Sequence, residues 1–372
     1  MAVEQKPAMR SRPSPRMLRH GMLRRVAQGT IVLAALALFA FAWRCDGDWF
    51  DKHVFLPQQF FIPASRAIIL WTRTIAGAIA LLLLALVPLL PRGASGRRLL
   101  LAVLLTLPAA ECLIRWRMGR PARPELVAAM DALTTMHPRY GRTFAPSIDR
   151  LQPLSGREIR FRTDADGRRI PGGAIDPAAP SLVFTGESTL AGFGLRWEET
   201  FAALLGARLH LQVVNLASPA YETHQSWLRL KDALPELHRP AAVIGIFMPG
   251  LIGRSFRAPE HPTLLESSGV YRLWKHLYWS DAGLDEGMRS VAADLRDIAA
   301  LAKGRGAPCI FLVTGHAPQW MLHEILEVPA LDHVVVEVPQ DELLADGHPG
   351  PRGSIRIADA LEARLRTTIA NR

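Results

Sequence analysis

At 372 residues and a net charge of +10, the chain has room for one full α/β domain and a separate N-terminal module. The charge is local. Lys6, Arg10, Arg12, Arg16, Arg19, Arg24 and Arg25 stand against Glu4 in residues 1–26, and seven arginines stand against Glu111 in residues 91–123, a net of +6 in each. The rest is close to neutral, which argues against a DNA- or RNA-binding surface in the C-terminal half. There are three cysteines and no CxxC pair, and His261, His276 and His323 have no metal-ligand spacing, so no metal or other cofactor is expected.

A basic tail, residues 1–25, leads into an apolar run from Val26 to Trp43. A longer run follows from Ala67 to Leu90, and a shorter one from Leu99 to Ile114 contains Pro108 and Glu111. A helix of about 20 apolar residues crosses a bilayer, so residues 26–115 are expected to form a transmembrane module with helices near 26–43, 67–90 and 99–114. Positive residues mark the cytoplasmic side. A cytoplasmic tail and three spans would place the remainder in the periplasm of a multi-pass inner-membrane protein, although Arg115, Arg117, Arg120 and Arg123 pull the other way. The alternative for the first run is a cleaved signal peptide; Arg44 beside Cys45 argues against lipoprotein processing. Arg73 and Glu111 would share a leaflet, where they are expected to pair or to snorkel separately to the interface.

Residues 116–180 read as a connector rich in Pro, Arg and Gly. A short helix is expected over Glu125–Met136. Arg157–Thr163 alternates like a strand at the domain edge and is closed by the turn Asp164-Ala-Asp-Gly167. From residue 181 the pattern is regular. Strands are expected at Leu182–Phe184, Leu211–Asn215, Ala242–Phe247, Cys309–Val313 and His333–Val338. Helices are expected at Glu198–Leu209, Gln225–Leu237, Gly287–Lys303 and Gly353–Ala370. Apolar strands alternating with amphipathic helices predict an α/β fold over 181–372, a three-layer α/β/α sandwich with a mainly parallel sheet.

Gly186-Glu187-Ser188 lies on the turn that leaves the first of these strands, where α/β sheets expose reactive groups. The last strand is followed by Asp346-Gly-His348-Pro. An aspartate two residues before a histidine in a loop can turn its carboxylate onto the imidazole. That contact fixes the tautomer, so the other ring nitrogen can take a proton from a serine hydroxyl.

Together these stretches resemble the SGNH (GDSL-type) hydrolase family over roughly residues 181–370. Gly186-Glu187-Ser188 followed by Gly192 matches its nucleophile block, with Glu where the family usually has Asp. Val214-Asn215-Leu-Ala-Ser-Pro-Ala220 looks like the second block and Asp346-Gly-His348-Pro like the last. Glu158-Ile-Arg-Phe with the Gly167 turn resembles the lead-in strand of membrane-anchored members. The resemblance implies a serine esterase with Ser188 as nucleophile, His348 as base and Asp346 as its orienter. Backbone N–H groups of Ser188, Ala220 and Gly250 are the implied oxyanion donors. Two departures stand out. Ala220 replaces a glycine, a mild change if the conformation suits alanine. Met248-Pro-Gly250-Leu251 stands where the family places Gly-x-Asn-Asp, and losing one side-chain donor costs about 10²–10³ in rate.

The expected activity is hydrolysis of a carboxylic ester on an acylated small molecule, lipid or envelope glycan at the outer face of a lipid bilayer. The alternatives are acyl transfer to an envelope glycan or lipid, and a catalytically impaired protein that keeps the fold for glycan binding or assembly. His316, His224 and Glu222 can either face the pocket or serve structure, with Thr223 as a helix cap. Trp274, Tyr278 and Trp279 either form a substrate platform or pack the 254–286 insertion down.

Overall fold

The computed structural model describes residues 15–46, 66–87, 124–254, 281–315 and 317–370, together with the single positions 49 and 112. Described residues up to 112 belong to one compact unit and those from 124 onward to another.

In the first unit, α1 (Pro15–Arg44) and α2 (Arg66–Leu86) run antiparallel. Arg73 Nε donates to the Ala42 carbonyl at 2.9 Å, and toward the other end Gln28 Nε2 donates to the Val87 carbonyl at 3.3 Å. The buried residues of these helices are small, Ala35, Ala76 and Ala80, whereas Leu33, Leu36, Trp43, Leu70, Trp71 and Leu82 are exposed. Among the described residues no helix is long and apolar enough to cross a membrane. They therefore give no support to the spans expected over 26–43 and 67–90. The third, 99–114, lies almost wholly outside them, as does Glu111, the expected partner of Arg73.

The second unit opens with α3 (Pro124–Leu133), which stops short of Met136. The chain leaves the helix at two β-branched residues, Thr134 and Thr135, and the Thr134 hydroxyl bonds back to the Met130 carbonyl at 2.7 Å. Two antiparallel hairpins follow, β1 (Thr134–His137) with β2 (Gly141–Phe144), then β3 (Asp149–Leu154) with β4 (Arg157–Arg162). The strand expected at the sheet edge is thus part of a separate hairpin. Its backbone is paired by β3, and its inward residues Ile159 and Phe161 enter the core. Further along the chain, Arg169 makes a bridge to Asn215 of the main sheet. The turn after β4 forms as expected: Asp164 Oδ1 accepts the Asp166 and Arg168 N–H groups, and Gly167 takes a φ of +69°.

The main sheet is parallel, with β5 (Ser181–Phe184), β6 (Gln212–Asn215), β7 (Pro240–Phe247), β8 (Cys309–Thr314) and β9 (His333–Val336) in the order β6-β5-β7-β8-β9. Connecting helices are α4 (Phe201–Leu209), α5 (Thr223–Ala233), α6 (Gly250–Arg254), α7 (Asp281–Gly304) and α8 (Gln319–Leu322), with α9 (Pro351–Ala370) at the end. Successive strand residues face opposite ways. Leu182 and Phe184 pack with Phe201 of α4, Leu361 of α9 and Phe161 of the hairpin, while Val183 packs with Leu230 of α5 and Leu295 of α7. The result is the expected three layers. Because the chain passes from β5 to β6 on one side and then to β7 on the other, the segments leaving β5 and β7 open onto one crevice at the strand ends.

Two buried arginines fasten the hairpin segment to this sheet. Arg169 donates to the carbonyls of Ala191 (2.6 Å), Gly192 (2.5 Å) and Leu195 (2.5 Å), with its guanidinium 4.5 Å from the Phe161 ring centroid. Burial pushes this guanidinium down to about 9, against the opposing pull of Glu198 and Glu199. Arg229 of α5 donates to Thr143 Oγ1 at 2.9 Å and to the carbonyls of Asp166 and Gly167. Replacing Arg169 by methionine withdraws these donors from buried carbonyls, each of which costs about 1–3 kcal/mol when left unmet. Arg169→Met is expected to lose about 3 kcal/mol or more in urea unfolding. A loss below about 1 kcal/mol would show that the 191–195 loop does not need the guanidinium.

Candidate active site

The turn after β5 is held from both sides. Leu216 N–H donates to the Phe184 carbonyl at 2.8 Å, Ser218 N–H to Gly186 at 3.1 Å, and Asn215 Nδ2 to Leu190 at 2.9 Å. Within the turn, Ala191 N–H reaches the Glu187 carbonyl and Phe193 N–H the Ser188 carbonyl, both at 3.0 Å. Ser188 is left 8 % exposed. This is the strand-to-turn setting predicted from the sequence.

Asp346 and His348 lie on a compact loop before α9. Leu344 N–H donates to the His348 carbonyl and Gly350 N–H to the Glu342 carbonyl, each at 2.7 Å, and Gly347 between the pair takes a φ of +92°. Pro351 opens α9, where its missing N–H costs nothing. His348 Nε2 thereby lies 2.8 Å from Ser188 Oγ, across 160 residues of sequence. Its Nδ1 lies 3.1 Å from Asp346 Oδ1. That second contact is an ion-pair distance rather than an aligned hydrogen bond, and Nδ1 is buried with no aligned partner. Asp346 Oδ1 also accepts the His348 backbone N–H at 3.2 Å. Burial pushes the Asp346 carboxyl up, but the His348 imidazole, the Ser155 hydroxyl and this N–H outweigh it and hold the group at about 2.

Ser155 was not visible as a site residue. Its hydroxyl donates to Asp346 Oδ2 from the tip of the β3–β4 hairpin. Ser155 and Gly156 have φ values of +51° and +74°, the pattern of a two-residue type I′ turn. The tip comes in close because residue 194 is glycine: a Cβ there would sit 2.9 Å from Ser155 Oγ and 2.7 Å from Leu344 Cδ1. Ser-Gly between alternating stretches is a legible hairpin signal, but nothing in the pattern ties it to Asp346.

Of the expected oxyanion donors, Ala220 lies in the turn Ser218-Pro219-Ala220-Tyr221, where Tyr221 N–H bonds the Ser218 carbonyl at 3.4 Å. Ala220 has a φ of +61°, the left-handed region. The expectation that the conformation would suit alanine is corrected: this position costs a non-glycine residue about 1–2 kcal/mol. The turn is braced by Tyr221 OH on Thr143 Oγ1 at 2.8 Å and by Phe144 N–H on Ser218 Oγ at 3.1 Å. Gly250 is buried at the start of α6. Leu251 N–H is engaged with the Met248 carbonyl at 3.0 Å.

Glu187 also reaches Ser188. Its Oε2 accepts from Ser188 Oγ at 2.5 Å and its Oε1 from Thr189 N–H at 3.0 Å, with the residue 1 % exposed. His224 instead bonds outward to α7, its Nδ1 3.1 Å from Asp294 Oδ1, while Thr223 Oγ1 donates to Asp294 Oδ2 at 2.8 Å. The α5 cap is therefore Glu222, whose N–H meets Gln225 Oε1 at 2.9 Å, and not Thr223. His323 pairs with Glu327. Among the described residues no group of His, Cys, Asp and Glu could hold a metal ion. His261, His276, His316, Trp274, Tyr278 and Trp279 lie outside the described residues.

Removing the Ser155 donor is expected to let the Asp346 carboxyl rise toward its ordinary range and weaken its hold on the imidazole. Ser155→Ala should react with a fluorophosphonate roughly tenfold more slowly, a loss of about 1.4 kcal/mol, with an unchanged circular dichroism spectrum. An unchanged rate would remove Ser155 from the site.

No family model and no curated protein sequence matches the chain. Among solved structures, the chain is similar to an acetyl xylan esterase from the rumen bacterium Butyrivibrio proteoclasticus, at 13 % identity over 56 % of this chain and 68 % of that one, with a TM-score of 0.38. It is similar to a lipolytic protein of the G-D-S-L family from Desulfitobacterium hafniense, at 16 % identity over 50 % of this chain and 98 % of that one, with a TM-score of 0.34. A GDSL-like lipase from Bacteroides ovatus matches at 13 % identity over 53 % of this chain and 56 % of that one, with a TM-score of 0.34.

Proposed function

We propose that this chain is a membrane-anchored serine esterase of the SGNH type that cleaves a carboxylic ester through an acyl-enzyme. The observation that carries the reading is the line of contacts from Ser188 Oγ through His348 to Asp346. Ser188 Oγ attacks the ester carbonyl carbon while His348 Nε2 takes its proton. The carbonyl oxygen becomes an oxyanion facing the backbone N–H groups of Ser188, Ala220 and Gly250. Collapse expels the alcohol, which leaves with the proton from His348, and water repeats the sequence to release the acid.

Asp346 supports the imidazolium throughout. A carboxyl held at about 2 is ionised across the working range. The stabilisation that Asp346 provides is present above its unfolded value of about 3.9 and is lost as pH falls through about 2. An oxyanion site built from backbone donors alone lacks a side-chain contribution of about 10²–10³ in rate, so the reading is of a slow enzyme. The ester is carried by an acylated small molecule, lipid or envelope glycan. Acyl transfer is the same chemistry with an acceptor hydroxyl in place of water.

Labelling by a fluorophosphonate probe tests the nucleophile: wild type is expected to label and Ser188→Ala is not. Absence of label on wild type, beside a serine esterase that labels, would sink the reading.

Membrane attachment, with the second unit on the extracytoplasmic side, is part of this proposal and rests on the apolar runs of the sequence and on the surface of the helix pair α1 and α2. Small residues fill the inside of this helix pair and large apolar ones face outward, as in helix pairs packed in lipid. The basic tail before them fits a cytoplasmic N-terminus. The full chain is expected to stay with the membrane fraction through carbonate washing, and a periplasm-only reporter fused after Arg372 to be active. Release by carbonate or a silent reporter would overturn the placement.

A further inference from the structure

We propose that Glu187 is a second proton acceptor on the nucleophile, competing with His348 for the Ser188 hydroxyl hydrogen and holding the serine in a resting state. The inference rests on the reading of Ser188 as nucleophile. Ser188 Oγ carries one hydrogen and faces two acceptors, Glu187 Oε2 at 2.5 Å and His348 Nε2 at 2.8 Å. A hydroxyl can donate to only one of them at a time. When it donates to Glu187, the contact with His348 needs its hydrogen from Nε2, and an imidazole protonated there is no base.

In the reactive state the hydroxyl hydrogen points at Nε2, and the imidazole hydrogen sits on Nδ1 against Asp346. The two states hold the same number of protons. They differ by a rotation about the serine Cβ–Oγ bond and by exchange of the imidazole hydrogen between its nitrogens, with no movement of the backbone.

Glu187 is well placed to win the competition. Its other oxygen is fixed by Thr189 N–H at 3.0 Å, and at 1 % exposure little water reaches the carboxylate. Hydrogen bonds to an ionised acceptor are roughly twice as strong as neutral ones. The charged groups on the pair are Glu187 from the turn after β5, and Asp346 on the same loop as His348.

The test is the rate of fluorophosphonate labelling of the full chain as a function of pH, for wild type, Glu187→Gln and Glu187→Asp, with Tm measured alongside. Glutamine removes the charge, and aspartate withdraws the carboxylate by one methylene. Both are expected to label about fivefold faster than wild type. A purely structural glutamate would lower Tm without speeding the label. Label on wild type that both variants leave unchanged or slow overturns the competition and spares the esterase reading. Loss of label in Glu187→Gln alone overturns it in favour of Glu187 as the base. No label on any of the three overturns both readings together.

Discussion

A guanidinium enclosed by carbonyl oxygens is the constraint on which the candidate site depends. The loop that carries Ser188 away from β5 turns its backbone inward at Ala191, Gly192 and Leu195, where the acceptors must be met or left costly. Arg169 meets all three with one planar group, at the expense of a charge that burial pushes down to about 9. A lysine has the charge without the fork. The rigidity of the nucleophile turn is thus supplied by a residue that precedes the sheet in sequence.

The same upstream segment reaches the site twice more. Thr143 and Phe144 brace the turn holding Ala220, and Ser155 donates to Asp346. The segment read as a connector is therefore part of the second unit from α3 onward. Around the nucleophile, two carboxylates flank one Ser–His pair. Asp346 supports the imidazole from behind, and Glu187 takes the serine from the opposite side. On the proposed reading, one stabilises the charge that forms during reaction, and the other stabilises the hydroxyl before it.

The main sheet was legible because both of its signals are local: continuous apolar strands, and helices with one apolar face. That Ser188, His348 and Asp346 would lie together was suggested by two short turns, Gly186-Glu187-Ser188 and Asp346-Gly-His348, and the structure does bring the three side chains together. What escaped was long-range or conformational. Thr134–His137 has no clean alternation, so β1 merged with the preceding helix. Ser155 differs from any hairpin serine only by what stands opposite it, 191 residues away. Ala220 is read from sequence as a small, tolerant residue, and only its φ of +61° shows that it occupies a glycine's conformation. Arg169 follows a charged turn and looks solvated, yet it is the largest fully buried side chain of the unit.

The hairpin tip at Ser155 has a consequence for how the chain acquires activity. The hydroxyl it supplies to Asp346 comes from early in the unit, whereas Asp346 follows 191 residues later in the chain. Contacts of such long separation are slow to close. A nascent chain can complete the turn around Ser188 while the loop of Asp346 and His348 is still unmade. On the proposed reading, reaction at Ser188 waits for that loop to dock.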